Sequence, residues 1–200
     1  MIIWISGVAA VGKSTVANLL ESKIKEYYKV TDCELDGDLG FKSNSGYKIP
    51  FRTYGNTMLI GRESQVLNGL DSVYIGLNKF KLVIEYEYFK WKSIFTPNII
   101  IEGNKFMDKN AMHDFMIEKN IKYKMYYLKV DMDILDERSR KRGNGYDKNT
   151  RTTSMVEREL KNYDKVISKY KNNVEVRFSK TRQDCENIAT EIFNTVDLTI

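Results

Sequence analysis

The feature that most constrains this chain is a glycine-rich turn near its start. Residues 7–14 read Gly-Val-Ala-Ala-Val-Gly-Lys-Ser, which is the pattern G-x-x-x-x-G-K-S. A short apolar run, Met1 to Ser6, precedes the turn and is typical of a buried strand. From Lys13 onward, apolar residues recur at helical spacing. A strand, a glycine-rich turn and a helix in this order predict a backbone cradle for phosphate groups.

Each fixed type of residue in this pattern has a chemical role in binding phosphate. Glycines let the backbone curl so that N–H groups point inward, and the helix adds the positive end of its dipole. We expect the Lys13 ammonium to reach the β- and γ-phosphates of ATP and the Ser14 hydroxyl to ligate Mg²⁺. A chance glycine turn is the alternative, and the position between a strand and a helix argues against it. The predicted nucleotide-binding residues are Gly7, Ala10, Val11, Gly12, Lys13, Ser14 and Thr15.

The rest of the sequence alternates predicted strands with predicted helices, which favours an α/β fold with a mostly parallel, five-stranded sheet. After the first strand, the predicted strands are 28–35, 98–101, 123–130 and 174–178. A short helix is predicted at 132–141, and an apolar stripe from Cys185 to Val196 predicts a helix packed on the sheet. Residues 40–76 break this rhythm because they are rich in Gly, Ser, Asn and Thr. We interpret them as an insertion near the carboxyl ends of the strands, with one strand-like piece at 57–60.

Composition limits the class of protein. The chain has 200 residues, of which 42% are hydrophobic, so we expect one compact domain over residues 1–200. No apolar stretch is long enough to span a bilayer and no basic leader opens the chain, so a cytoplasmic location is expected. Two cysteines and one histidine disfavour a disulfide framework, a zinc site and a histidine triad. His113 is expected on the surface of a helix. A net charge of +5 suits a polyanionic partner.

Acidic residues follow two of the predicted strands. Asp36 and Asp38 come after the second strand and Glu102 after the third. Ligands of open α/β sheets gather at the carboxyl ends of the strands. We therefore predict that Asp36 or Asp38 orients or deprotonates an attacking hydroxyl, and that Glu102 holds Mg²⁺ or its water. An ordinary turn is the alternative for Asp36–Asp38.

The densest positive segment of the chain lies at residues 138–151, where six cations accompany the single acid Asp147. Two glycines interrupt it, so it is interpreted as a lid that closes over ATP. Arg138 and Arg142 are predicted to stabilise charge on the transferred phosphoryl group, and Arg151 to contact the substrate. A solvated helix end is the alternative.

Taken together, the phosphate loop, the acidic strand ends and the arginine-rich segment resemble the P-loop nucleoside, nucleotide and polynucleotide kinase superfamily. The resemblance implies a three-layer sandwich that uses ATP and Mg²⁺. Leu35-Asp36-Gly37-Asp38 also resembles a segment of adenylylsulfate kinases. The Asn and Arg that usually follow that segment are missing here, which disfavours sulfate activation.

The insertion is similar to one group within this superfamily. Gly61-Arg62 followed by Asn68-Gly69-Leu70-Asp71 resembles a pattern in bacteriophage kinases of 5-hydroxymethyluracil in DNA. This resemblance implies transfer of the γ-phosphoryl group of ATP to the hydroxymethyl group of the base, in the cytoplasm of the host. It places Arg62 and Asp71 in the acceptor site. The sequence departs from the pattern at Glu63, where an aromatic residue is usual.

Two other functions stay open at the level of sequence: a deoxynucleoside monophosphate kinase acting on free nucleotides, and a nucleotide-dependent binding module with slow ATPase activity. A guanine-specific switch is disfavoured because Asn78-Lys79-Phe80-Lys81 lacks the final Asp of the base-selecting motif. A DNA acceptor would be aided by aromatic rings of the insertion, which could equally pack beneath a loop. These rings are Phe41, Tyr47, Phe51 and Tyr54.

Overall fold

The computed structural model describes residues 1–33, 35–39, 49–61, 75–92, 98–141 and 153–198. The strands are β1 (Ile2–Ser6), β2 (Leu35–Leu39), β3 (Ile49–Tyr54), β4 (Thr57–Ile60), β5 (Asn98–Glu102), β6 (Tyr123–Lys129) and β7 (Val174–Phe178). The helices are α1 (Lys13–Tyr28), α2 (Leu77–Lys92), α3 (Asn110–Glu118), α4 (Met132–Lys141), α5 (Thr153–Lys169) and α6 (Arg182–Thr195). None of the helices in these ranges is long and apolar enough to cross a bilayer.

The described strands form one sheet in the order β2-β3-β4-β5-β1-β6-β7. From β4 to β7 all neighbours are parallel, whereas β2 and β3 add an antiparallel extension at one edge. The parallel strands end at a common edge, here called the mouth, where Gly7, Gly61 and Glu102 lie. Because the chain builds outward from β1 in both directions, the mouth beside β1 is the topological switch point of the sheet.

Helices cover both faces of the sheet and give a three-layer α/β fold. The alternation of side chains along β1 divides the core in two: Ile2 and Trp4 belong to one apolar cluster, and Ile3 and Ile5 to the other. The first cluster contains buried side chains of α2, α3 and α5. The second contains buried side chains of α1, α4 and α6. The predicted α/β class with a mostly parallel sheet is confirmed.

The prediction of a strand over residues 28–35 is wrong. Helix α1 continues to Tyr28 and ends at Lys29, whose left-handed backbone lets its N–H bond the carbonyls of Glu26 and Lys25. The fifth parallel strand is instead β4, the strand-like piece at 57–60. The supposed insertion therefore contributes a hairpin, β3–β4, to the sheet. The sheet has seven strands in the described residues rather than five, because β2 and β3 extend it.

The prediction that His113 lies on the surface is also wrong. Its side chain is 0% exposed and stacks on Tyr170 with ring centroids 4.5 Å apart. Nδ1 lies 2.9 Å from the Tyr123 hydroxyl and Nε2 lies 3.1 Å from the Met107 carbonyl oxygen. Burial lowers the pKa of His113, since desolvation disfavours the charged imidazolium.

This burial predicts a pH-dependent stability. A histidine with a lowered pKa in the folded state binds a proton more readily when unfolded, so its contribution is lost as the pH falls through about 6.5. We expect the urea midpoint of the wild type to drop between mildly alkaline and mildly acidic pH. His113→Gln should be less stable but should show a smaller drop over the same range. Equal drops in both proteins would contradict the assignment.

Candidate nucleotide-binding site

The turn after β1 adopts backbone conformations that require its small residues. Gly7 has φ 140°, Ala10 has φ 69° and Gly12 has φ 103°. A Cβ atom at Gly7 would lie 2.6 Å from the carbonyl oxygen of Leu128 and 2.9 Å from Cγ2 of Val11. Both values are closer than ordinary van der Waals contact. The first glycine of the motif is therefore needed both for its dihedral angle and for its lack of a side chain.

Helix α1 begins at the end of this loop, so its N-terminus faces the loop. Its N-cap is Gly12, which has no side chain to accept hydrogen bonds from the first backbone N–H groups. Those groups and the positive end of the helix dipole are suited to an anion. The Lys13 side chain is buried and folds back over the loop. Its Nζ donates to the carbonyl oxygens of Gly7 at 2.9 Å and Val8 at 3.2 Å.

An oxygen pair lies beside the loop at the mouth. Ser14 Oγ donates to Glu102 Oε1 at 3.5 Å, and Glu102, at the end of β5, is only 5% exposed. Hydroxyl and carboxylate oxygens are ligands that suit Mg²⁺, which keeps several waters and phosphate oxygens in addition. The donor set therefore fits this ion. Within the described ranges, no group of three or more His, Cys, Asp or Glu side chains forms a metal cluster.

Side chains from distant elements hold the phosphate loop through Val11. The Val11 carbonyl accepts hydrogen bonds from the buried Ser179 hydroxyl, just after β7, and from Arg138 Nη1 of α4, which is 3.3 Å away. Arg138 Nη2 also donates to the carbonyls of Ser179 at 2.8 Å and Lys180 at 2.6 Å. The guanidinium thus ties α4 to the phosphate loop and to the turn between β7 and α6.

A cavity of about 400 Å³ lies next to this cluster. Its size is that of small-molecule sites in proteins. It is bounded by the phosphate loop, by α4 and by the start of α6, where Thr181 and Asp184 form a reciprocal cap. The residues lining it are Ala10, Gly12, Thr15, Arg138, Lys141, Thr181, Arg182 and Cys185.

Near the ends of β1 and β5, α5 adds polar groups that were not predicted from the sequence. The Ser6 hydroxyl and the Tyr163 hydroxyl are 2.8 Å apart, and the Tyr163 hydroxyl donates to the Asn104 carbonyl at 3.3 Å. The Asn104 amide donates to Glu159 Oε1. Asn104 and Glu159 are partly exposed. The sequence spacing of α5 could not predict that Glu159 and Tyr163 lie at the mouth, because their position depends on how the helix packs on the sheet.

A second unpredicted cluster connects α1 to the end of β4. Arg52 donates through Nε and Nη2 to both carboxylate oxygens of Glu21, at 2.8 and 2.9 Å. Tyr54 donates to Glu21 at 2.6 Å, and Arg52 Nη1 donates to the Gly61 carbonyl at 2.7 Å. Burial alone would raise the pKa of Glu21, but the hydrogen bonds from Arg52 and Tyr54 lower it below its usual value. The phosphate-loop helix is thereby fixed to the mouth at Gly61.

The predicted acidic residues of the second strand lie elsewhere than expected. Asp36 and Asp38 are within the edge strand β2, opposite Arg52 and Pro50 of β3, and not in a turn after a parallel strand. Four strand spacings separate β2 from β1, which is about 19 Å at roughly 4.8 Å each. Their side chains are outside the described part of the structure. The argument that placed them at a strand end was therefore wrong.

Four further predicted residues lie outside the described residues: Arg62, Asp71, Arg142 and Arg151. Phe41 and Tyr47 of the aromatic group lie outside them too. Phe51 and Tyr54 are buried in the two apolar clusters. These two rings pack the core, so the packing alternative is correct for them.

The adenylylsulphate kinase family matches residues 1–75, which include the phosphate loop and β2 to β4. No curated protein sequence matches the chain significantly.

Several kinases are among the solved structures with similar folds. A shikimate kinase from Bacteroides thetaiotaomicron is 13% identical with a TM-score of 0.46, covering 98% of this chain and 97% of its own. A thymidylate kinase from Ehrlichia chaffeensis is 14% identical with a TM-score of 0.46, covering 98% of each chain. A deoxyadenosine kinase from M. mycoides is 14% identical with a TM-score of 0.45, covering 98% of this chain and all of its own.

Replacement of Gly7 tests the geometry of the loop. Gly7→Ala forces a Cβ against the Leu128 carbonyl and imposes an unfavourable dihedral angle. The free energy of unfolding should therefore fall by about 1–3 kcal/mol. Denaturant titration measures this change. Gly76→Ala is the matched control, since nothing lies within 4 Å of a Cβ there, and it should leave stability nearly unchanged. Similar losses in both variants would refute the special role of Gly7.

The Arg138 contacts give a second prediction. Arg138→Ala leaves the carbonyls of Val11, Ser179 and Lys180 without this donor, so nucleotide binding measured by calorimetry should weaken about tenfold or more. Arg140→Ala, an exposed arginine of the same helix, is the control and should bind as the wild type does. Unchanged binding by Arg138→Ala would show that the guanidinium does not support the loop.

Proposed function

We propose that this protein is an ATP-dependent phosphotransferase that moves the γ-phosphoryl group to a hydroxyl of a nucleic-acid component. The main support for the proposal is that the Ser14–Glu102 oxygen pair lies beside the phosphate loop at the mouth. Loop amides and the start of α1 supply fixed positive dipoles for a triphosphate. A carboxylate and a hydroxyl beside them suit the metal that accompanies it.

The proposed roles follow from these positions. Lys13, already held over the loop by carbonyl oxygens, neutralises charge on the β- and γ-phosphates. Ser14 and Glu102 would hold Mg²⁺ and its waters. When bound, the ion neutralises charge on the transferred phosphoryl group. Arg138 supports the loop through Val11, and the cavity of about 400 Å³ beside it would take the nucleoside of the donor. Arg142 is proposed to stabilise the transferred group and Arg151 to contact the substrate.

The acceptor we favour is the hydroxymethyl group of 5-hydroxymethyluracil in DNA. This choice rests on the resemblance carried by Arg62 and Asp71 and on the net charge of +5. Gly61 directly follows β4 at the mouth, and Arg62 is the next residue in the chain. Asn104 and Glu159 offer amide and carboxylate groups on the same edge for a polar acceptor. It stays a prediction that Asp36 or Asp38 orients or deprotonates the attacking hydroxyl of the acceptor.

A second candidate acceptor is adenylylsulfate, because the adenylylsulphate kinase family matches residues 1–75. The matched range contains Leu35-Asp36-Gly37-Asp38, the segment that resembles adenylylsulfate kinases. Here it forms the edge strand β2, remote from β1. We therefore rank this acceptor below a nucleic-acid hydroxyl.

The proposal is tested by offering γ-labelled ATP and magnesium with a panel of acceptors. The panel contains DNA with 5-hydroxymethyluracil, unmodified DNA, hydroxymethyldeoxyuridine monophosphate, ordinary deoxynucleoside monophosphates and adenylylsulfate. We expect label in the hydroxymethylated DNA and not in unmodified DNA. Transfer to DNA should weaken steeply between about 50 and 200 mM salt, because polymer binding releases counterions.

A variant links any transfer to the described site. Lys13→Gln should lower kcat at least about a hundredfold, whereas Lys165→Gln, an exposed lysine on α5, should act as the wild type does. Label found only in free phosphate would indicate a slow ATPase and overturn the phosphotransferase proposal. Label in monophosphates or adenylylsulfate alone would retain the phosphotransferase and replace the acceptor.

A further inference from the structure

Helix α2 has apolar side chains on both of its faces. Phe80, Val83, Ile84 and Tyr88 are buried in the core. The outer face nevertheless carries Leu82, Tyr86 and Phe89, which are 56, 55 and 42% exposed. A helix at the surface of a sheet needs only one apolar stripe to pack. The outer stripe is therefore a second apolar surface, exposed in this chain.

Lysines surround this outer stripe. Lys79, Lys90 and Lys92 are exposed, and the Lys90 ammonium lies 5.7 Å from the centroid of the Tyr86 ring. Four lysines and two glutamates lie on α2, so the charges of the helix itself are positive in excess. Glu85 forms an ion pair with Lys119 at 2.8 Å, and Glu87 is buried and 4.0 Å from Lys90. The outer face of α2 is thus both aromatic and positively charged.

We propose that this face, formed by Lys79, Leu82, Tyr86, Phe89 and Lys90, binds a single-stranded polynucleotide. Exposed rings stack on bases without regard to sequence, and the neighbouring ammonium groups pair with phosphates. A second copy of the chain is a poorer occupant, because an isologous contact would bring the same lysines together. An anionic membrane offers charge but no planar groups to stack on Tyr86 and Phe89.

The choice of a polynucleotide as partner rests on the proposed function. The position of α2 relative to the mouth agrees with that choice. Because β4 and β5 are parallel, the helix between them runs from the mouth toward the opposite edge of the sheet. Its Lys79 end is therefore nearest the mouth. The distance along the helix from Lys79 to Lys92 is about 20 Å, the length of roughly six stacked nucleotides. A strand on α2 would lead toward the site of phosphoryl transfer.

The test uses the full chain and a short fluorescent oligothymidylate, with binding followed by anisotropy over a range of salt concentrations. Tyr86→Ala with Phe89→Ala should weaken binding about tenfold at constant salt and leave the salt slope unchanged. Lys79→Gln with Lys90→Gln should reduce the magnitude of the slope by about 1.4. Tyr27→Ala and Lys165→Gln, at exposed positions on α1 and α5, are the matched controls and should bind as the wild type does.

Several outcomes would contradict the proposal that this face of α2 binds a polynucleotide. These are no binding of the oligonucleotide at low salt, equal binding by all variants, and binding to phosphatidylserine vesicles without binding to the oligonucleotide. A wild-type dimer in sedimentation that Tyr86→Ala dissociates would assign the stripe to self-association instead. The acceptor panel separates this proposal from the proposed function. Oligonucleotide binding that the variants weaken, without phosphoryl transfer, would support the binding surface and contradict the proposed function. Phosphoryl transfer without oligonucleotide binding would support the proposed function and contradict the binding surface.

Discussion

The carbonyl oxygens of the phosphate loop are held by side chains, and the candidate site depends on this arrangement. Lys13 bonds the carbonyls of Gly7 and Val8, while Ser179 and Arg138 bond that of Val11. With these carbonyls occupied, backbone N–H groups of the loop remain for an anion. Elements separated by more than a hundred residues thus determine the shape of one short turn.

The same elements that hold the loop also shape its surroundings. Arg138 reaches Ser179 and Lys180, so α4 and the start of α6 are held on one side of the loop and border an open pocket there. On the other side, Glu102 ends β5 and Asn104 follows it, with the Asn104 carbonyl accepting a hydrogen bond from Tyr163 of α5. The two sides of the mouth are therefore built from different strand ends, on the two sides of β1.

The sequence predicted the parts of the fold that local pattern specifies. The strand before the loop, the helix after it, and α4 at residues 132–141 were found where expected. The second strand was misplaced because β-prone residues after Tyr28 resembled a strand, while the true strand, β4, lay in a polar region. Helix α2 was missed because its outer face, with Leu82, Tyr86 and Phe89, obscures the usual alternation of apolar and polar faces.

The sequence by itself determined the phosphate loop, since Gly7, Gly12 and Lys13 act through local dihedral angles and a helix that begins beside them. It could also place Glu102, because a strand end is a local feature. Only the tertiary structure decided which strands neighbour β1, why His113 is buried, and how Arg52, Ser179 and Arg138 reach their carbonyls. Such contacts join residues far apart in the chain, and their formation depends on the packing of whole helices and strands rather than on the spacing of neighbouring residues.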